Sequence, residues 1–318
     1  MLVYALKRLL AMIPVALGVS LVCFLLVHLA PGDPLSAVLP TDASQEMQQE
    51  MRKLYGFDKP LVVQYGIWLG RVLIGELGTS ISTGRPVVAE VGKAVMNSII
   101  LAAAATAIGF FFGALFGFVA GYFRNSWIDK IASFLAVVGV SVPHYWLGMV
   151  LVICFSVWLN WLPATGGGPG GSSDARSLDW EYLKYLVLPA ITMSVIPMGI
   201  IARTLKALVA EILNQEFVQG LAAKGLDDRG IFRHVVKNAA PTAFAVMGLQ
   251  LGYLLGGSIL IETVFAWPGT GFLLNSAIFQ RDLPLLQGTI LVLASFFVIL
   301  NLIVDIAQAA LDPRVKRS

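Results

Sequence analysis

Charged side chains are scarce in this sequence. Aspartate, glutamate, lysine and arginine together make up 13% of the 318 residues, whereas 57% of the residues are hydrophobic. A soluble domain typically carries about 25% charged residues. The shortage excludes an ordinary soluble domain and indicates that lipid surrounds much of the chain.

Sequence motifs for enzymatic chemistry are also missing. The chain has no G-x-x-x-x-G-K-[ST] motif for nucleotide phosphates. Its nearest match, GTSISTGR at residues 78–85, has five residues between the glycines and no Lys-Ser/Thr pair. No carboxylate pair, Ser-His set, Cys-His set or H-E-x-x-H motif lies at a consistent membrane depth. We therefore predict no catalytic residue and no metal site, and any ATP used must be hydrolysed by another polypeptide.

The chain has only two cysteines, Cys23 and Cys154, and both lie in apolar runs. There is no CxxC motif and no disulfide framework, so the cysteines do not indicate a redox compartment. We interpret them as small apolar residues within helices.

Long apolar runs are what the sequence has instead. A helix needs about 20 apolar residues to cross a hydrocarbon core about 30 Å thick, and lipid-exposed backbone must be helical. We predict an all-α polytopic membrane protein with six transmembrane helices. The first apolar run is longer than that of a signal peptide, so we interpret it as a retained helix. The approximate spans are residues 9–30, 97–122, 131–159, 183–201, 239–261 and 286–311.

Basic residues predict the orientation of these spans. Apart from the long loop after the first span, which crosses largely regardless of its charge, one face of the membrane has thirteen lysines and arginines and the other has three. The face with more positive charge includes both termini and the connection between the fourth and fifth spans. We therefore predict that both termini are cytoplasmic.

The long extracytoplasmic loop has about 65 residues. Asp42 and Gln45 form a capping-box pattern, and Gly56 is a plausible C-terminal stop, which predicts a short helix over SQEMQQEMRKLYG. The later segment VVQYGIWLGRVLIGELG is amphipathic. This subdomain would be either a docking surface or lid, or a layer packed over the bundle.

The connection between the fourth and fifth spans is the most charged segment in the second half of the chain. We call residues 214–238 the elbow. A helix continuing from the fourth span is predicted to end at Gly225, and Asp227 to cap a second helix. On that second helix three basic residues recur every four positions and two apolar residues lie on another face; these are Arg229, Arg233, Lys237, Ile231 and Val235. Such a helix could rest on anionic headgroups or dock into a groove on a cytoplasmic protein.

Several segments resemble one family of membrane proteins. The sequence EFVQGLAAKGLDDRGIFRHVVKNAAPT is similar to the cytoplasmic coupling loop of permease subunits from binding-protein-dependent ABC importers, in the dipeptide, oligopeptide and nickel group. Further blocks match in order along nearly the whole chain. They are RLLAMIPVALGVSLVCFLLVHLAPGDP, YGFDKPLVVQYGIWL, GELGTSISTGRPV, WLPATG and ETVFAWPGTGFLLNSAIFQRDLPLLQG. Where more distant permeases have Glu-Ala-Ala, this chain has Gln219, Gly220 and Leu221, which removes one acidic contact.

This resemblance implies a type I ABC importer permease fold, a set of partners and a location in the bacterial cytoplasmic (inner) membrane. The partners would be a second homologous permease, two ABC ATPase subunits, an extracytoplasmic solute-binding protein and the lipid bilayer, with no nucleic acid. ATP and Mg would bind the ATPase, and this chain would carry no cofactor. The residues implied to couple to the ATPase are Ala222, Ala223, Lys224, Gly225, Leu226, Asp227, Arg229 and Arg233.

Three further residues within the spans are candidates for a pathway or gate. Ionisable residues inside a membrane are functional candidates by default, which applies to Glu262 and Asp305. Helix capping or pairing with a neighbouring helix is the alternative for both carboxylates. Pro143 would bend the third span, either as a hinge or for packing. The glycines that recur every fourth residue in the second span predict close helix packing.

The chain divides by sequence into three parts. Residues 1–95 would form the first span and the extracytoplasmic subdomain, residues 96–311 the permease core, and residues 312–318 a cytoplasmic tail. A self-contained secondary transporter or channel is the alternative function, but we find no inverted repeat and no midplane charge cluster that would favour it. The solute is open at this point: dipeptides, oligopeptides, glutathione, nickel chelates and sugars are all moved by members of the family.

Overall fold

The computed structural model describes residues 2–29, 44–55, 58–171, 179–256 and 258–311, and these ranges contain twelve α-helices. The helices are α1 (Leu2–Leu29), α2 (Gln45–Tyr55), α3 (Leu61–Leu73), α4 (Val87–Tyr122), α5 (Trp127–Ser141), α6 (His144–Leu151), α7 (Trp180–Leu213), α8 (Glu216–Ala223), α9 (Asp228–Gly256), α10 (Ser258–Val264), α11 (Thr270–Phe279) and α12 (Leu283–Leu311).

The described parts of the predicted spans fall on helical structure, with a break in the third span at residues 142–143, but the number of crossings stays a prediction. Among the described residues, α4 and α7 are long and apolar enough to cross a membrane by themselves. A third crossing is possible if α5 and the helical segment after it form one span.

The third predicted span is not one continuous helix. Helix α5 ends at Ser141, α6 begins at His144, and α6 continues into a π-helical segment over Val152–Trp158. The two halves are bent by 105°. Proline explains the break, because Pro143 has no N–H to donate and forces the preceding residue, Val142, out of the helical region to φ −80° and ψ 129°. Pro143 therefore interrupts the helix, which is a larger effect than the predicted bend.

The predicted short helix of the long loop is confirmed as α2. Its N-terminus is capped by Ser44, whose Oγ accepts a hydrogen bond from the backbone N of Met47 at 3.2 Å. The predicted capping residue Asp42 and the predicted stop Gly56 lie outside the described residues. The amphipathic segment that follows forms α3, on which Tyr65 and Trp68 contact the ring of Phe24 on α1.

The chain divides into two compact units. One comprises the described residues within 98–267 and 303–311, and the other comprises the described residues within 2–97 and 268–302. The first unit has a core around Leu101, Leu188, Ile261 and the aromatic pair Phe265 and Trp267. The second unit has its own core around four residues, Val87, Val91, Ala277 and Leu285.

The glycines that recur every fourth residue in α4, which we call the glycine ridge, pack directly against α7, as the spacing predicts. Cβ atoms placed at Gly109, Gly113, Gly117 and Gly121 would lie 3.1, 3.0, 2.7 and 2.7 Å from the nearest atoms of α7. Real Cβ contacts are essentially never as short as the last two distances. Only glycine therefore allows the two helices to approach this closely, as at other small-residue interfaces in membranes.

A second face of α7 is held in a similar way by α5. A Cβ at Gly199 of α7 would lie 2.6 Å from the carbonyl oxygen of Ala136, and a Cβ at Gly139 of α5 would lie 2.8 Å from Val195. Helix α7 is thus in backbone-level contact with two neighbouring helices. Its 34 residues extend over about 51 Å, more than the hydrocarbon core requires.

Candidate functional site

The elbow begins with a break that the sequence analysis did not predict. The helix from the fourth span was expected to continue to Lys224, but α7 ends at Leu213 and α8 starts at Glu216. Asn214 stops α7 by donating its side-chain amide to the carbonyl oxygen of Ala210 at 2.9 Å, and Gln215 is extended at ψ 146°. Because asparagine side chains compete for backbone groups, Asn214 favours a helix end over a helix interior.

The turn at Gly225 has the predicted geometry. Gly225 has φ +83°, which side-chain-bearing residues rarely adopt. Its N–H donates to the carbonyl oxygen of Ala222 at 2.9 Å, and the N–H of Leu226 donates to that of Leu221 at 3.2 Å. These two bonds form a Schellman motif that ends α8.

The next helix starts where the sequence predicts. The Asp227 carboxylate accepts a hydrogen bond from the N–H of Gly230 at 2.9 Å, and the Asp227 carbonyl oxygen accepts one from the N–H of Ile231 at 3.0 Å. Asp227 is therefore the N-cap of α9. The turn between α8 and α9 is fixed from both sides, by the Schellman motif and by this cap.

One side of the elbow is packed against the end of α7. Val218 of α8 and Val235 and Ala239 of α9 are buried together with Val209 and Ile212 of α7. The predicted apolar face of α9 is thus confirmed, because Ile231 also packs against this cluster. We call these five buried residues the elbow base.

An aromatic contact also attaches α9 to α4. The ring of Phe232 lies edge-on to Tyr122, with 5.5 Å between the ring centroids, and at 6.5 Å from Phe118. Such pairs are worth about 0.5–1.5 kcal/mol beyond the area they bury. The elbow therefore contacts α4 as well as α7.

The other side of the elbow is exposed. Ala222, Ala223 and Lys224 at its tip are exposed, Leu226 is half-buried, and a Cβ at Gly225 would meet no atom within 4 Å. The predicted basic stripe also faces outward, since Arg229, Arg233 and Lys237 are all exposed. We call residues 222–226 the elbow tip. All eight predicted coupling residues lie at the tip, at the cap or on the exposed face of α9.

An ion pair between a buried carboxylate and a half-buried lysine joins α5 to α7 close to the elbow, and the sequence analysis did not identify it. Lys206 of α7 pairs with Asp129 of α5 and donates to Ser133 Oγ at 2.8 Å. The Asp129 side chain is 8% exposed, and it also accepts from Ser133 Oγ at 2.9 Å and from the Asn125 backbone N at 3.0 Å. The available signal was Ser126 three residues before Asp129, a helix-start pattern that places this carboxylate in the first turn.

Two family models match the chain. The binding-protein-dependent transport system inner membrane component matches residues 109–317, and the N-terminal membrane component of the same systems matches residues 1–101. The first match covers more than half of the chain. The chain belongs to this family.

Relatives align with the permease over almost its full length. It is 38% identical to the dipeptide transport system permease protein DppB of Alkalihalophilus pseudofirmus, with 99% of this chain and 100% of the relative covered. It is 35% identical to the glutathione transport system permease protein GsiC of Salmonella typhimurium (99% of each chain). It is also 39% identical to a putative peptide transport system permease protein of Brucella abortus (98% of each chain). The protein is therefore a permease subunit of an ABC importer and a multi-pass component of the inner membrane.

The structure describes the side chains of two of the three candidate pathway residues of the permease, Glu262 and Pro143, and neither lies in the elbow. Glu262 of α10 is completely buried and accepts a hydrogen bond from Ser98 Oγ at 2.7 Å. Pro143 lies at the start of α6, where the ring of Phe265 comes close to Gly148. The side chain of Asp305 lies outside the described residues. A gating role for these three residues stays a prediction.

The permease has a second buried carboxylate outside the spans, which the sequence analysis did not identify. Asp282 is fully buried at the start of α12. Its Oδ2 accepts hydrogen bonds from Ser80 Oγ at 2.6 Å, from Ser82 N at 3.0 Å and from Ser82 Oγ at 2.8 Å, and its Oδ1 accepts one from Leu285 N at 3.1 Å. Asp282 therefore caps α12 and fixes the turn at residues 80–82.

These hydrogen bonds also set the charge of Asp282. Burial alone would raise the pKa of the Asp282 carboxyl, but the bonds from Ser80, Ser82 and Leu285 outweigh burial and lower this pKa below its ordinary value. The carboxylate form is therefore the one that the folded permease favours. A capping aspartate is visible in the sequence, but its partners lie about 200 residues away.

Proposed function

We propose that this permease forms half of an import pathway and that its elbow transmits the force of ATP hydrolysis. Six transmembrane helices would place both termini and the elbow in the cytoplasm. The elbow tip would sit in a cleft of an ABC ATPase subunit. Closure of two such subunits would then move two permease chains.

The observation that carries this proposal is that the elbow is packed on one side and exposed on the other. A force-transmitting element must not bend at its base, and the elbow base is buried against the end of α7. It must also present a surface to a partner, and the elbow tip is exposed. A helix lying on headgroups would need its apolar face toward lipid, but the apolar face of α9 is buried against α7.

Helix α7 supports the transmission of movement from the elbow to the membrane. It is in backbone-level contact with α4 at the glycine ridge and with α5 at Gly199. The Lys206–Asp129 ion pair adds a polar link near the elbow. Because close-packed helices shift as units, movement of the elbow tip would displace α7 together with its neighbours.

The proposed assembly contains four kinds of subunit. They are this permease, a second homologous permease, two ABC ATPase subunits and an extracytoplasmic solute-binding protein. ATP and Mg would bind only the ATPase subunits, since this chain has no phosphate-binding motif. Residues 1–95 would supply the first span and the extracytoplasmic subdomain, residues 96–311 the permease core, and residues 312–318 a cytoplasmic tail.

The proposed solute is a peptide or a similar small molecule. The relatives are named for dipeptides, glutathione and peptides. We propose that the solute-binding protein selects the solute and that the permease passes it. Transport assays with the cognate binding protein, using a labelled dipeptide, glutathione and a longer peptide, would distinguish these classes.

A charge at the elbow tip tests the coupling role. Ala223→Glu should abolish ATP-driven uptake into proteoliposomes, because a buried unpaired carboxylate in an ATPase cleft is strongly unfavourable. Gln215→Glu is the matched control: it adds the same charge within the elbow at the start of α8, where a negative charge is favourable. Uptake and co-purification of the ATPase are measured for both variants. Normal uptake by Ala223→Glu would contradict the proposal.

A further inference from the structure

A groove runs along the end of α7 between α4 and α5. It has a volume of about 580 Å³ and is open on one side. Helix α7 lines it from Ala202 onwards, together with Asn214, the residue after its last turn, a stretch that corresponds to about 18 Å. We call this feature the α7 groove. It belongs neither to the elbow tip nor to the elbow base.

Small side chains make the groove. Alanines of all three helices line it, where larger residues would fill the space; they are Ala120, Ala132, Ala136, Ala202, Ala207 and Ala210. Phe116 of α4 and Val137 of α5 add apolar walls. The result is a slot with a mainly apolar lining.

Positive charge lies along the same slot. Arg124, Arg203 and Lys206 line the groove, and Glu211 is its one acidic lining residue. Lys206 is already neutralised by Asp129. Arg124 and Arg203 are exposed and form no ion pair with any residue that the structure describes. Two guanidinium groups are therefore available for an anion.

Each arginine lies close to the predicted end of an apolar span. Arg124 follows the end of α4 by two residues, and Arg203 lies two residues beyond the predicted end of the fourth span. Basic pockets between helix ends are typical sites for the headgroups of anionic lipids. Guanidinium groups bind phosphate through paired hydrogen bonds.

We propose that the α7 groove binds an anionic phospholipid. Arg124 and Arg203 hold the phosphate, and an acyl chain lies along the alanine wall. Charge complementarity favours this occupant over a helix of another subunit, because an apolar helix would leave both arginines unpaired. The site goes beyond the proposed coupling role and depends neither on the ATPase nor on the side of the membrane that the elbow faces.

Lipid retention by the purified full-length permease tests the site. The protein is reconstituted in nanodiscs of phosphatidylcholine with a minor fraction of phosphatidylglycerol, released into detergent and analysed by native mass spectrometry. The wild type should retain phosphatidylglycerol preferentially. The double variant Arg124→Gln/Arg203→Gln should retain about tenfold less, since both phosphate contacts are lost.

The matched control is Lys130→Gln, which removes an exposed positive charge near the same helix ends but outside the groove lining. It should retain phosphatidylglycerol as the wild type does. Ala207→Trp fills the slot without changing charge and should also lower retention. If the double arginine variant and Ala207→Trp both retain phosphatidylglycerol like the wild type, the proposal is wrong.

A photoreactive side chain in the groove separates lipid from protein occupants. A benzophenone-bearing amino acid in place of Ala207 should cross-link to phospholipid in native membranes. A cross-link to a second permease chain or to another polypeptide would overturn the proposal. The thermal stability of each variant is measured in pure phosphatidylcholine to check that the variant is folded. A loss of phosphatidylglycerol retention by a folded variant then reports on the groove.

Discussion

At the scale of single residues, Gly225 has the strictest conformational requirement in the elbow. Its φ of +83° is unfavourable for any residue with a Cβ, although there is open space around it. We expect Gly225→Ala to lower the stability of the elbow by about 1–2 kcal/mol. The measurement is the rate of amide hydrogen exchange in α8 and at the start of α9, which should rise.

Gly220 is the control for this substitution. It lies inside α8, and a Cβ there would also meet no atom within 4 Å. Because alanine favours a helix more than glycine does, Gly220→Ala should leave exchange unchanged or slow it. Equal exchange rates in Gly220→Ala and Gly225→Ala would show that the positive φ does not matter.

Asp282 is expected to make the stability of the permease depend on pH. Its lowered pKa means that the carboxylate stabilises the folded state above the unfolded pKa of about 3.9, and that this contribution is lost as the pH falls through the folded pKa. Asp282→Asn should therefore lower the apparent Tm at neutral pH. The difference from the wild type should shrink below about pH 4.

The turn at residues 80–82 gives a second check on this carboxylate. Ser82→Ala removes one of the hydrogen bonds to Asp282 and leaves the other donors in place. A hydrogen bond to a charged group is worth about 1.5–3 kcal/mol. Ser82→Ala should therefore reduce the Tm less than Asp282→Asn does. The reverse order would contradict the role given to Asp282.

At the scale of elements, the contact between α4 and α7 leaves no room for a Cβ. A Cβ at Gly117 would lie 2.7 Å from Leu205 Cβ and 2.8 Å from the carbonyl oxygen of Ala202. Gly117→Ala should lower the stability by about 1–3 kcal/mol, because the helices must separate. Gly92→Ala in the same helix is the control, since a Cβ there would meet nothing within 4 Å. Both effects are measured as apparent Tm in detergent.

The ion pair that links α5 to α7 is expected to contribute to stability as one unit, so that removing one partner costs more than removing both. Removing Lys206 leaves the Asp129 carboxylate buried without its cation. Lys206→Met alone should therefore destabilise the permease, and adding Asp129→Leu should restore part of the loss. A double-mutant cycle based on apparent Tm gives the coupling of the two residues, about 0.5–3 kcal/mol if they interact as the structure shows. Additive effects would exclude the interaction.

Local patterns in the sequence predicted elements better than they predicted contacts. Gly225, Asp227 and the apolar face of α9 follow from spacing alone, because caps and helix faces depend on neighbours within four residues. The break at Asn214 was missed because one asparagine is a weak signal beside strong helix formers such as Glu211, Leu213 and Gln215. The Asp129–Lys206 pair is 77 positions apart, and the partners of Asp282 are about 200 positions away. Such pairings depend on how distant helices are placed, which periodicity does not contain.

At the scale of the whole molecule, the orientation in the membrane is the prediction with the widest consequences. The chain has only two native cysteines, Cys23 and Cys154, so a variant with both changed to serine provides a background for labelling. Lys224→Cys on this background should react with a membrane-impermeant thiol reagent only after the cytoplasmic side is opened. Arg281→Cys, a control in the turn before α12, should react in intact cells. Labelling of residue 224 from outside would show that the orientation in the membrane is the reverse of the predicted one.

The contact between α4 and α7 also limits how the sequence of this permease can vary. Every amino acid other than glycine has a Cβ, so substitutions at Gly117 and Gly121 are unfavourable whatever their polarity. At Ala223 of the elbow tip, by contrast, small and polar residues are equally compatible with the fold of this chain alone. In a saturation-mutagenesis library selected only for membrane insertion, we therefore expect near-complete intolerance at the two glycines and broad tolerance at Ala223. Selection for growth on the transported solute would reduce the number of amino acids tolerated at Ala223 and leave the result at the two glycines unchanged.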